Sequence, residues 1–213
     1  MATYDLDEQE RMDELKAWWK RWGSLILVGL AVAIAAAAGW RYWQNHTVTQ
    51  SLEAATVYEK LTQSLMANDA KAAREAGAML IEHYKGTAYA PRAALLLAKL
   101  NVTSKDLKSA QNQLEWAVAN SKEPAVKDLA RVHLAGVQLD QKQYDAALKT
   151  LAGSRSDAFA FRFEDMRGDV LMAQDKKDEA RAAYQAAFGK MEKDNPYRSI
   201  VELKLDALGG ETK

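Results

Sequence analysis

The sequence contains no cysteine, only 3 prolines and 11 glycines, and no excess of charge of either sign. The absence of cysteine excludes disulfide scaffolds, thiolate zinc sites, iron–sulfur clusters and cysteine nucleophiles. The 29 lysines and arginines balance 29 aspartates and glutamates, so the chain lacks the basic surplus that general nucleic-acid binding requires. Because 48% of the residues are hydrophobic, the composition also argues against a disordered chain.

Strand signals are scarce as well. Almost no window alternates Val, Ile or Thr with polar residues, whereas alanine-rich runs are frequent along the chain. The composition therefore predicts an all-α fold.

The sequence shows no recognisable catalytic, phosphate-binding or metal-binding motif. The three histidines, His46, His83 and His133, lack a second ligand at metal-binding spacing on the same helix face. No nucleophile elbow, phosphate-binding loop or dinucleotide fingerprint is present. Acidic pairs are plentiful, but charged helix faces produce such pairs without any catalytic role. We therefore predict a protein that is not an enzyme, with no catalytic, cofactor-binding or metal-binding residues.

One long uncharged segment stands out against this background. The 19 residues between Arg21 and Arg41 carry no charge. As a helix they would be roughly 28 Å long, close to the ~30 Å hydrocarbon core of a membrane. Five of the six tryptophans flank this segment, and indoles prefer the interfacial level of a membrane. These predicted interface residues are Trp18, Trp19, Trp22, Trp40 and Trp43.

Two other interpretations of this segment are a buried helix of a soluble protein and a cleaved secretory signal. Buried helices rarely carry tryptophan clusters at both ends. A signal is disfavoured because the preceding 21 residues are long and acidic and because the apolar run exceeds a typical signal core. Residues 22–43 are thus predicted to be an uncleaved transmembrane anchor.

The basic residues around the anchor predict its orientation. Four of them lie in residues 7–21, whereas residues 41–55 hold only Arg41. The flank richer in lysine and arginine stays in the cytoplasm. Residues 1–21 are then a cytoplasmic acidic tail and residues 44–213 lie outside, in the periplasm of a two-membrane bacterium. The tail leaves open a cytoplasmic partner, which its residues do not specify.

The predicted external part repeats itself. Ala73, Ala110, Ala147 and Ala180 occupy equivalent positions, with spacings of 37, 37 and 33 residues. We call these four residues the anchor alanines. A small residue stands twelve positions before each of the last three anchor alanines, and a large residue stands four positions after each, as packed helical hairpins require. The predicted units lie near 52–88, 91–122, 126–154 and 159–191, and a capping helix follows at 197–208.

The last three units resemble tetratricopeptide repeats, most clearly in LARVHLAGVQLDQKQYDAALKTL and MRGDVLMAQDKKDEARAAYQAAF. The predicted fold class is therefore an all-α, tetratricopeptide-like helical solenoid that follows a single N-terminal transmembrane helix. Departures from the pattern, such as Gly77 where a large residue is expected, make the first unit degenerate.

In tetratricopeptide solenoids the first helix of each unit faces the concave side, and the repeat register then places one stripe of residues there. An apolar stripe with a charged rim would suit extended or helical peptides. The alternative is that several of these residues pack against neighbouring helices. The predicted groove residues are Arg92, Leu95, Lys99, Val102, Leu129, Val132, Leu139, Arg162 and Met172, and the same register adds Gly136, Asp165 and Asp169.

The chain consists of an acidic tail, the segment WWKRWGSLILVGLAVAIAAAAGWRYWQ and a cysteine-free solenoid. This layout resembles the YfgM-type family of ancillary subunits of the bacterial Sec translocon. The resemblance implies an inner-membrane protein with a cytoplasmic N-terminus, periplasmic repeats and no enzymatic activity. It implies the Sec translocon and a membrane-anchored periplasmic chaperone as partners. The expected function is a scaffold that assists export or folding of translocated proteins. The alternative is a cell-envelope assembly or regulatory adaptor whose cytoplasmic tail binds a signalling partner.

Overall fold

The computed structural model describes residues 2–153 and 155–209, with side chains from residue 11 onward. The chain forms two compact units, Met1–Gln50 and Ser51–Lys213. Ser154, at the edge of the predicted third repeat, lies outside the described residues.

The first unit is helical throughout its described length. It belongs to α1, which runs over Ala2–Met66. Of the described helices, this is the one long and apolar enough to cross a membrane. Its leucines, isoleucines and valines between residues 25 and 34 are exposed, as are all five predicted interface tryptophans. Such a continuous apolar surface is unfavourable in water and favourable in lipid.

The second unit is a series of antiparallel helical hairpins. No strand occurs in residues 51–153 or 155–209. The end of α1 packs on α2, and the later hairpins pair α3 with α4, α5 with α6 and α7 with α8. The helices are α2 (Ala70–His83), α3 (Tyr89–Thr103), α4 (Leu107–Asn120), α5 (Pro124–Asp140), α6 (Tyr144–Leu151), α7 (Ala160–Ala173), α8 (Lys177–Gly189) and α9 (Arg198–Asp206).

The turn inside each hairpin has the same geometry. Asn68, Lys105, Lys142 and Asp175 adopt positive φ angles between 56° and 60°. The next amide in each turn bonds a carbonyl five residues back, as Asp106 N does to Asn101 O at 2.9 Å. This is the Schellman ending, in which a left-handed residue reverses the chain and satisfies the last helical carbonyls.

Small residues stand where the helices cross. Ala98, Ala135 and Gly168, the positions predicted to be small, are buried. The four anchor alanines are fully buried, and the large residues Leu114, Leu151 and Tyr184 fill the adjacent gaps. At Gly77, where the pattern fails, the Leu97 side chain occupies the space that a Cβ would take. The repeat register predicted from the sequence therefore matches the packing.

The last helix covers the end of this series. Val201 and Leu205 of α9 are buried in one cluster with Leu171 and Tyr184. Lys204 Nζ also lies 2.8 Å from Asp165 Oδ1 and 2.7 Å from Asp169 Oδ1, both on α7. Apolar contact and ion pairing together hold α9 in place.

Candidate protein-binding groove

An apolar groove of about 710 Å³ lies between α3 and α5. Tyr58 near the end of α1 and Met166 of α7 complete its walls. The apolar lining includes Leu95 and Leu96 from α3 and Leu129 and Val132 from α5. A volume in this range, about 300–1,000 Å³, accommodates a few side chains of a ligand rather than a folded domain.

Six of the nine predicted groove residues line this cavity. They come from the first helices of two successive repeats and are Arg92, Leu95, Lys99, Val102, Leu129 and Val132. Gly136, which the same register placed in the stripe, lines it as well. Successive residues of the stripe are three or four apart, which puts them on one side of each helix.

The remaining predicted residues lie elsewhere, and their placement corrects the expected stripe. Leu139 is half-buried against the cluster that contains Ala147 and Phe163. Met172 is half-buried against the terminal cluster beneath α9. Arg162 is exposed and lies over the rings of Phe161 and Tyr197, at 5.3 and 5.7 Å from their centroids.

The two acids of the last predicted stripe are not free surface groups. Asp165 is buried, accepts a hydrogen bond from Tyr197 Oη at 3.0 Å and pairs with Lys204. Burial raises the pKa of the Asp165 carboxyl even though Lys204 opposes the change. Asp169 accepts a hydrogen bond from Tyr184 Oη at 2.8 Å and pairs with Lys204 too. The stripe ends here because α9 docks on α7.

Several residues that line the groove were not predicted from the sequence. Tyr58 belongs to the degenerate first unit, where the register could not be followed. His133 and Met166 belong to α5 and α7 but fall just beside the positions counted from the anchors. A wider stripe, with the neighbouring helical positions included, would have found His133, because a groove is wider than one row of side chains.

The charges of the groove are unevenly distributed. Arg92 is already paired, since its guanidinium donates two hydrogen bonds to the Glu123 carboxylate at 2.6 and 2.7 Å. Two other basic residues, Lys99 and His133, line the cavity together with one acidic residue, Asp140. Desolvation by the groove walls lowers the pKa of the His133 imidazole, and the positive charges of Arg162 and Lys99 lower it further.

The groove continues beyond α3. A second cavity of about 450 Å³ lies between the end of α1 and α3 and shares Leu96, Lys99 and Thr103 with the first. Together the two cavities give an elongated surface along α3. Within the described part of the chain, no group of three or more acidic or histidine residues could hold a metal ion.

The chain is similar to known proteins over nearly its whole length. A family model described as a tetratricopeptide repeat-like domain matches residues 16–210. An ancillary SecYEG translocon subunit of Neisseria gonorrhoeae is 31% identical, and the match covers 98% of this chain and all of the relative. Proteins of the same name from Aggregatibacter actinomycetemcomitans and Escherichia coli K12 are 30% and 28% identical, over 97% and 98% of this chain and 100% and 99% of the relatives.

Fold and sequence thus agree. The buried alanines, the four equivalent turns and the capping helix are those of a helical-repeat domain, and the full-length matches add the N-terminal apolar helix. The chain belongs to the tetratricopeptide repeat-like family of ancillary SecYEG translocon subunits.

Proposed function

We propose that this chain is a non-enzymatic scaffold of the bacterial inner membrane that binds proteins beside the Sec translocon. The apolar groove between α3 and α5 carries the proposal, because it is a preformed, open and largely apolar surface. The names of the relatives support the translocon as a partner. The role is to assist export or folding of translocated proteins, together with a membrane-anchored periplasmic chaperone.

The exposed apolar part of α1 supports membrane anchoring. The basic residues before it support a cytoplasmic N-terminus and, with it, a periplasmic groove. In this position the groove is presented to chains that leave the translocon and to the periplasmic parts of membrane proteins nearby. Binding there requires no nucleotide, because apolar contact supplies the free energy.

Site-specific photocrosslinking in intact cells tests the proposal. A photoreactive residue at Val102, which is exposed in the groove, should give crosslinks to translocon subunits, a periplasmic chaperone or exported chains. The matched control is Asn112, an exposed position on α4 outside the groove. Equal crosslinks from both positions, or crosslinks to cytoplasmic proteins alone, would contradict the proposal.

A further inference from the structure

The repeat unit has two ends, one formed by the turns inside the hairpins and one by the connections between them. In antiparallel hairpins, the first helix of each repeat starts at the end where the second helix of the previous repeat finishes. Hydrogen bonds join neighbouring repeats there, since Tyr84 Oη donates to Glu53 at 3.3 Å and Ser156 N donates to Asp128 at 2.9 Å. We call this the loop end and the opposite one the turn end. Because Glu53 follows closely after Ser51, the chain enters the repeat unit at the loop end.

A cavity of about 460 Å³ at the loop end is lined mainly by basic side chains. They are Lys122, Lys127, Arg131 and Arg155. One acid, Asp128, also belongs to the lining, but it is buried and accepts hydrogen bonds from the amide and the hydroxyl of Ser156 at 2.9 and 2.7 Å. Its other oxygen lies 3.8 Å from Arg131. The charge of Asp128 is therefore largely satisfied inside the protein.

A second buried acid organises the basic groups beside this cavity. The Glu164 carboxylate is buried on α7. It lies 2.7, 3.2 and 3.1 Å from the cationic groups of Arg155, Arg167 and Lys190. One buried negative charge thus faces three positive ones. Since Arg167 and Lys190 are exposed, positive charge remains at the surface.

These residues together form a surface with a surplus of positive charge. We call it the loop surface, and it consists of Lys122, Lys127, Arg131, Arg155, Arg167 and Lys190. Against these six basic groups stand three acids, the buried Asp128 and Glu164 and the exposed Asp157. In residues 11–153 and 155–209, the acids near this surface pair with other basic groups, and none pairs with Lys122 or Lys127. An anion can therefore reach both lysines.

The length of the chain keeps the loop end near a membrane surface. Residues 44–50 separate Trp43, the last predicted interface tryptophan, from Ser51, the first residue of the repeat unit. Even a fully extended chain covers at most about 30 Å from Trp43 to Ser51. A short tether of this kind gives the headgroups of the surrounding lipids a high effective concentration at the loop end.

We propose that the loop surface binds anionic phospholipid headgroups of the membrane that holds the apolar segment of α1. This inference uses the proposed membrane anchoring and goes beyond the proposed protein binding. Guanidinium groups match phosphate oxygens with two parallel hydrogen bonds, and lysines add compact positive charges. Asp128 and Glu164 already hold the arginines in place, which lowers the entropy cost of binding. The loop surface cavity and the groove share no lining residue, so bound lipid leaves the groove open.

Fluorescence quenching of the full-length protein in lipid nanodiscs tests this assignment. Ala125→Cys, an exposed position between Lys122 and Lys127, carries a bimane label, and a lipid with a nitroxide on its headgroup is the quencher. Quenching should be stronger in discs of phosphatidylcholine mixed with phosphatidylglycerol than in discs of phosphatidylcholine alone. The difference should vanish at about 1 M salt, where the screening length falls to about 3 Å. The matched label is Ala173→Cys, an exposed position at the turn end, which should show no such difference.

Charge variants locate the effect. Lys122→Gln combined with Lys127→Gln should lower the ratio of lipid-bound to unbound protein about fivefold for each lysine, the equivalent of about 1 kcal/mol each. The matched control combines Lys108→Gln and Lys142→Gln, two exposed lysines at the turn end, and should leave the ratio unchanged. An equal loss in the control would show a general charge effect and overturn the assignment to the loop surface. Far-UV circular dichroism verifies that each variant is folded.

The outcomes separate this inference from the proposed function. Equal quenching of the Ala125→Cys label in both kinds of disc would overturn the lipid assignment and leave the groove and the anchor untouched. Equal quenching together with protein crosslinks from position 125 that Lys122→Gln and Lys127→Gln abolish would assign the surface to an acidic protein instead, and refute the lipid. Extraction of the full chain from membranes by alkaline carbonate would refute the proposed anchoring and this inference with it, whereas crosslinks from Val102 test the groove independently.

Discussion

At Gly168 the backbone of α7 approaches the ring of Tyr184 so closely that a methyl group has no room. A Cβ built there would lie 2.5 Å from Cδ1 and 2.8 Å from Cζ of the ring. The ring cannot turn away easily, because its hydroxyl is hydrogen-bonded to Asp169. Gly168→Ala should therefore destabilise the protein by about 1–3 kcal/mol, measured by thermal unfolding of the full chain in detergent.

Gly136 provides the matched control for this substitution. It also lies inside a helix, but a Cβ there would meet only Met166 Cε at an ordinary 3.6 Å. Gly136→Ala should raise stability by up to about 1 kcal/mol, because alanine is the better helix former. If both variants lost stability equally, the close approach at Gly168 would not be the cause.

Asp165, one of the two buried acids of α7, has Lys204 of α9 as its cation. Lys204→Met would leave Asp165 buried without its cation, and loss of one partner of a buried pair typically costs about 3–5 kcal/mol. Lys177→Met, which removes only an exposed pair with Asp175, should cost less than about 1 kcal/mol. Thermal unfolding of the two variants beside the unchanged protein measures both.

The loss of stability caused by Lys204→Met should depend on pH in a defined direction. Burial already raises the pKa of Asp165 above its ordinary value, so the folded protein binds a proton more readily than the unfolded chain. Stability from this group is present at low pH and is lost as the pH rises. The penalty of Lys204→Met should accordingly shrink between pH 7 and pH 4, since a protonated Asp165 needs no cation. A penalty that grew toward pH 4 would contradict the assignment.

At the level of helices, two leucines that the sequence predicts in the same groove stripe lie in different environments. Leu129 lines the groove, whereas Leu139 packs against a core cluster. Leu129→Asp should leave the fold intact and reduce partner crosslinking from Val102. Leu139→Asp should unfold its repeat, because an unpaired carboxylate is costly in an apolar environment. Circular dichroism and the crosslinking yield distinguish the two variants. A well-folded Leu139→Asp variant would show that Leu139 is not part of the core.

The hairpins could be predicted because their signals are local. The alanine spacing, the small residues at the crossings and the turn positions all repeat within 33–37 residues. The end of the groove could not be predicted in this way. The contact of Lys204 with Asp165 joins positions 39 residues apart that no periodic pattern links. Tyr58 was not predicted for a related reason, since the end of α1 supplies it to a groove formed mainly by α3 and α5. Met166, like His133, lies just beside the predicted stripe.

For the whole molecule, the proposed topology can be tested with single cysteines and without removing any native cysteine, because the chain contains none. Lys149→Cys, at an exposed position of α6, should react with a membrane-impermeant thiol reagent in intact spheroplasts. Lys16→Cys, before the apolar segment, should react only after the membrane is permeabilised. Reaction of Lys16→Cys alone in intact spheroplasts would reverse the proposed orientation.

The ion pairs of Lys204 reach from α9 across to α7 and involve no residue of α8, the helix between them in sequence. In a linear array of repeats each element normally contacts only its neighbours, so the terminal helix frays independently. Here α9 cannot detach without exposing the acids of α7. We expect backbone amides of α9 and α7 to exchange with deuterium at the same slow rate, as one cooperative unit. Exchange of α9 far ahead of α7 would show that the link does not hold, whereas equal rates would make the last repeat and its cap a single folding unit.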